Sequence, residues 1–133
     1  MLDDALRFTM SEIPNCIAVG AVDLTTGTLL AIQAEEARSQ EMLNIVTATV
    51  TELFEAPLLQ AFAEIYAAGT DAAAAAGRQF TELLLLNNQH NYLLLRGRSH
   101  PSLAVIVVTT KETPVGLLMM KGLATMTSIE KAI

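Results

Sequence analysis

The sequence predicts an α+β domain built on antiparallel strands, and three features predict it. Between Phe80 and Thr110 three apolar, strand-length runs follow one another with only short polar segments between them. Between Cys16 and Ile32 two more such runs flank a turn that ends in Gly27. The remaining segments repeat their apolar residues at helical spacing. Strands joined by short loops must pair antiparallel, because a parallel pair needs a crossover of a dozen or more residues.

In chain order, Leu2 to Ile13 has apolar residues at 2, 5, 6, 10 and 13, a helical spacing that Pro14 ends. Cys16 to Val22 reads as a strand stopped by Asp23, and Gly27, free to take positive φ, closes a turn into a second strand from Thr28 to Ile32. Glu35 and Glu36 suit the start of a helix. That helix carries a polar stripe, Gln40, Asn44, Thr47, Thr51 and Glu55, and an apolar one, Leu43, Val46, Val50 and Phe54. A strand from Ile45 to Thr51 competes, but a pattern sustained for about 20 residues outruns the usual 5 to 6 of a strand. Pro57 should kink or restart the helix, which continues from Leu58 to Ala68. The alanine run of Gly69 to Gly77 fits either a helical turn or a mobile loop.

The three later strands are Phe80 to Asn87, Tyr92 to Leu95 and Ser102 to Thr110, with Asn88 to Asn91 as the first turn. In the last of them Leu103, Val105 and Val107 face one way and Ala104, Ile106 and Val108 the other. Both faces are apolar, so both need cover. Thr113 is placed to cap a closing helix with Pro114 at its first position, and Val115, Leu118, Met119, Gly122, Met126 and Ile129 share one side of it. Its methionines read as adaptable core.

At 133 residues the chain fits a single domain spanning 1–133. Hydrophobic residues make up 52% and charged ones only 17%, with a mean hydropathy of +0.42, yet no uninterrupted apolar run approaches the roughly 18 residues of a spanning helix. A small domain leaves much of its surface wet, so this excess argues for burial against another chain and not for membrane insertion. A net charge of -6 argues against nucleic acid, which needs a basic surface to displace counterions. Met1 to Asp4 lacks the basic start of a secretory signal, which makes the cytoplasm the expected location. The single cysteine, Cys16, lies among apolar neighbours and reads as a buried structural thiol.

No residue set suited to catalysis stands out. There is no glycine-rich phosphate loop with its lysine and hydroxyl. His90 and His100 fall in separate turns without acidic or cysteine neighbours at ligand spacing, so neither a metal nor another cofactor is expected. Ser99 beside His100 lacks a carboxylate to orient the imidazole. Arg96 and Arg98 share one side of a strand end and read as solvated charges at a hairpin tip, with an anion site as the rival reading.

The order helix, hairpin, long helix, three-stranded meander, helix resembles the Roadblock/dynein light chain family. Two stretches carry the resemblance: Ile13 to Asp23 followed by Thr26 and Gly27, and Tyr92 to Leu95 followed by Leu103 to Val108. The alanine-rich segment departs from it by its length. The resemblance implies a five-stranded antiparallel sheet with helices on its faces, a profilin-like α/β/α sandwich, assembled as a homodimer without catalytic residues. Bacterial proteins of this kind are similar to regulators of Ras-like small GTPases, so such a GTPase is the implied partner. A sensor-like sheet enclosing a small ligand, or an enzyme with an unrecognised pocket, is the rival. Leu83, Leu84, Leu85 and Leu86 are the candidate dimer interface, because a strand at the sheet margin with one charge, Glu82, and no lysine, proline or bulge is poorly defended against pairing. Gln40, Asn44, Thr47 and Thr51 are the candidate partner surface.

Overall fold

The computed structural model describes residues 1–69, 71, 74, 77 and 79–133. Five strands form one antiparallel sheet in the order β2-β1-β5-β4-β3, where β1 is Cys16–Asp23, β2 Thr28–Ala34, β3 Glu82–Leu86, β4 His90–Arg96 and β5 Leu103–Thr110. Among the described residues four helices accompany it: α1 Leu2–Glu12, α2 Gln40–Glu55, α3 Pro57–Ile65 and α4 Val115–Lys131. The choice between turn and loop for the alanine run falls outside the described residues.

The alternation in β5 decides the layering. Leu103, Val105 and Val107 join Leu6 and Ile13 from the α1 end and Leu118 and Ile129 of α4 in one buried cluster. Ala104 joins Val22, Leu94 and the α2 residues Val50 and Phe54 in a second cluster on the opposite face. Burying a side chain such as Phe54 or Leu93 fully contributes about 1.5–3 kcal/mol each. Gly122 lets α4 approach closely, since a Cβ there would lie 2.7 Å from Leu93 Cδ2. Gly27 takes φ +67° in the β1–β2 turn, as expected of its place there. Cys16 is buried and unpaired, and burial pushes its pKa up to about 11.

Several local expectations are corrected. Helix α2 begins at Gln40, not Glu35, because Ser39 caps it by accepting from the Met42 N–H at 3.2 Å. Strand β2 runs on to Ala34. Pro57 restarts the helix as expected, after Ala56, with ψ 121°, breaks its path, but α3 ends at Ile65 and not at Ala68. Thr113 does not cap α4: its buried hydroxyl donates to Pro14 O at 2.6 Å and ties the start of α4 to the end of α1. Val115 is exposed. Asn91 and His90 belong to β4, because Asn87 Oδ1 accepts from the Gln89 and His90 N–H groups and tightens the turn to three residues. The buried Asn91 amide donates to Thr113 O at 3.0 Å and accepts from Lys111 Nζ at 2.7 Å.

Arg96 is the largest departure from expectation. It is 6% exposed and sits beneath α2, donating to Phe80 O at 3.0 Å, Pro101 O at 3.1 Å and Phe54 O at 3.2 Å. Its guanidinium lies 4.9 Å from the Phe54 ring centroid. Burial lowers its pKa, opposed by the Glu55 carboxylate 3.9 Å away. Its donors are engaged by the protein itself, so no anion grip forms with Arg98.

Arg98 instead lies in the β4–β5 loop, where Glu130 of α4 accepts from the backbone N–H groups of Arg98, Ser99 and His100 at 2.8–3.1 Å and meets the His100 ring at 3.3 Å. Burial raises the Glu130 pKa, but these bonds to its charged form outweigh it, and the net shift is downward. A depressed carboxyl pKa adds stability above the unfolded value, and that stability is lost as pH falls through the folded value. Glu130→Ala should therefore cost about 1.5–3 kcal/mol at pH 7, the range for hydrogen bonds to charged groups. Denaturant titrations across pH check this: the gap to wild type should be full above about pH 5 and shrink in more acidic solution.

Candidate interaction surface

The chain offers two sheet edges, and they differ. On β2 the register slips, with Ala21 opposite Ala31 but Val22 opposite Leu29, so Leu30 is an extra, bulged residue. A bulge is a common defence of an edge. Strand β3 pairs with β4 without a slip, Glu82 to Leu95 through Leu86 to Asn91. Among the described residues its outer side faces no other strand. The flanking bonds fix its phase: Arg96 N–H donates to Thr81 O at 2.8 Å and Asn87 N–H to His90 O at 3.2 Å. Residues 81, 83, 85 and 87 therefore bond inward to β4, while Glu82, Leu84 and Leu86 turn their N–H and C=O groups to the open edge.

The four predicted leucines sit together on this edge. Leu83 packs against the second core cluster, whereas Leu84, Leu85 and Leu86 are exposed, Leu86 at 54%. Leu85 and Leu86 also border an open groove of about 410 Å³ whose far wall is Ile45, Thr49 and Leu53 of α2 and whose floor includes Tyr92. Other large apolar side chains are exposed on and after the two helices: Met42 and Ile45 of α2, Leu58, Phe62 and Ile65 of α3, and Tyr66, with Leu58 at 83% and Tyr66 at 81% exposure. Helix α3 buries none of its residues. Gln40 to Ile65 taken together is long and apolar enough, by length and composition alone, to cross a membrane. In the fold this path is interrupted at Ala56 and its α2 part is seated on the sheet through Val50 and Phe54.

The predicted polar residues occupy the other flank of α2. Gln40, Asn44, Thr47 and Thr51 border one cleft of about 620 Å³ that faces the β1–β2 turn at Gly27 and Thr28. Gln40 Nε2 donates to Asn44 Oδ1 at 3.0 Å, and both residues are exposed. Thr47 is buried, because it shares a helical stripe with Val50 and Phe54, and its hydroxyl donates to Leu43 O at 2.9 Å. Thr51 likewise donates to Thr47 O at 2.8 Å. These threonines satisfy the helix and leave Gln40 and Asn44 as the accessible amides. Among the described residues no three His, Cys, Asp or Glu side chains form a group able to hold a metal ion.

No family model and no curated protein matches the chain. Solved structures do match. The gliding protein mglB of Thermus thermophilus superposes with a TM-score of 0.74 at 16% identity, covering 98% of this chain and 86% of that one. A Roadblock/LC7 domain from Streptomyces avermitilis gives 0.73 at 8% identity, covering 98% and 95%. The fold is that of a Roadblock/LC7 domain. MglC from Myxococcus xanthus shares it more distantly, with a TM-score of 0.59 at 7% identity over the whole of both chains.

Identities this low place the likeness in the backbone, in keeping with a resemblance carried by apolar patterns. Within the Roadblock/LC7 fold, the exposed apolar surface comprises the β3 edge with its groove wall on α2, and further exposed side chains on α2 and α3. The sequence reading located its leucine edge but not its helical part. The spacing of Leu58, Phe62, Ile65 and Tyr66 was the available signal, and it does not by itself say whether such a stripe faces inward or out.

Proposed function

We propose that residues 1–133 form one Roadblock-like domain acting as a non-catalytic homodimeric regulator or scaffold, with a Ras-like small GTPase or a related protein as partner. The observation that carries this reading is the β3 edge: regular, open and leucine-rich, beside an exposed apolar face of α2 and α3. Antiparallel pairing of two such edges about a two-fold axis makes one continuous sheet, satisfies the open N–H and C=O groups and sets the helices of both copies side by side. The polar cleft at Gln40 and Asn44 stays outside that contact and serves the partner. The likeness to the gliding protein mglB supports a role in gliding motility. The unpaired thiol Cys16 suits a reducing cytoplasm.

Light scattering and partner assays test this together. At tens of micromolar, where an interface of standard size is saturated, the mass should be twice the 14.2 kDa of one chain. The pure protein should not turn over GTP, and a Ras-like GTPase encoded beside it should bind in one nucleotide state and not the other. A monodisperse monomer, or GTP turnover by the pure protein, would overturn the reading.

A further inference from the structure

Beneath the N-terminal half of α2, next to the groove that borders β3, lies a second hollow of about 300 Å³, at the lower end of the roughly 300–1,000 Å³ of small-molecule pockets. Its floor exists because the strands carry almost no side chain there: Ala18 and Gly20 of β1 and Ala34 of β2. A Cβ at Gly20 would already touch Ile106 at 3.4 Å and Ile32 at 3.7 Å, so the walls close in around the missing volume. Val46 and Met42 of α2 form the roof. The lining is aliphatic apart from Tyr92, His90 and Arg38, and Arg38 is its one formally charged residue besides the titratable His90 and Tyr92. The Arg38 guanidinium is partly exposed, and its one ion pair among the described residues is a 3.4 Å contact with Glu36, which does not line the hollow.

From an aliphatic hollow with a forked cation beside it, we propose that this space binds an amphiphilic anion, a medium-chain acyl carboxylate, with the chain beneath α2 and the carboxylate on Arg38. Charge complementarity selects this occupant, since the guanidinium fork matches a carboxylate and, among the described residues, no carboxylate lines the space. The inference goes beyond the regulatory reading. The hollow shares Val46, Tyr92 and Ile106 with the groove beside β3, but no β3 residue lines it, so loss of the edge contact and loss of the ligand are read out separately.

Calorimetric titration of the full chain with decanoate, kept below its micelle concentration, tests it. One molecule should bind saturably per chain. Arg38→Gln should raise the decanoate Kd about tenfold, the loss of one charge-assisted contact, and leave the binding of neutral decanol unchanged. Ala34→Leu should fill the floor and abolish binding of both, with the dimer mass unaltered. Absence of saturable binding, several molecules per chain, equal binding of decyltrimethylammonium, or an Arg38→Gln effect that is nil or the same for decanol overturns the proposal. The Arg38 comparison decides the matter even where Ala34→Leu does not fold.

Discussion

Arg96→Leu is expected to lower the unfolding free energy by about 3 kcal/mol or more, since three carbonyls lose a charged donor at about 1–3 kcal/mol each. That is a large share of the 5–15 kcal/mol that holds a typical domain together. The reason is what the guanidinium joins. It satisfies Phe80 O ahead of β3, Pro101 O in the β4–β5 loop and Phe54 O at the end of α2. Helix α2 has no basic residue in its last turn, so Arg96 also supplies the positive charge its C-terminus favours. Leucine would leave three carbonyls without that donor. Arg96→Lys should recover only part of the loss, because a single ammonium cannot reproduce the planar fork or its position over Phe54. Urea denaturation of the three proteins checks this. A loss under about 1 kcal/mol for Arg96→Leu, no more than one ordinary hydrogen bond, would show that the three carbonyls find other partners.

Arg96 also shows where reading a sequence stops. The five strands and four helices follow from periods of two and of three to four residues, and those periods survive in apolar side chains whatever surrounds them. A charged residue at a strand end looks like part of the loop. Its parity with Tyr92 and Leu94, both of which border the α2 side of the sheet, was the overlooked sign that it points under the helix. Asn91 was misplaced for the same reason, since its buried amide serves Thr113 O and Lys111, residues 20 or more positions away. In α2 the expected apolar residues Val50 and Phe54 are buried, but so is Thr47 of the polar stripe, because a threonine that returns its hydroxyl to the preceding turn can be buried almost as easily as valine. The leucine edge was readable because it rests on an absence: no lysine, proline or bulge between Thr81 and Asn87. Only the structure shows the contrast with β2, where Leu30 bulges.

That contrast makes a pair of proline variants decisive. The N–H of Leu84 points to the open edge and that of Leu85 into the β4 ladder. Leu84→Pro should therefore leave the fold intact, since proline is tolerated on an edge strand where its missing donor faces outward. In the proposed two-fold dimer the same change removes two donors from the joint, one per copy. The dimer should weaken by at least about 2 kcal/mol, roughly thirtyfold in Kd, visible as monomer on dilution in light scattering. Leu85→Pro should act the other way round, orphaning a β4 acceptor and lowering the stability of the chain itself by about 1–3 kcal/mol. Circular dichroism separates the two cases. If Leu84→Pro stays folded and fully dimeric through the dilution series, the strands do not meet, and self-association must rest on the helical stripe from Met42 to Tyr66 alone.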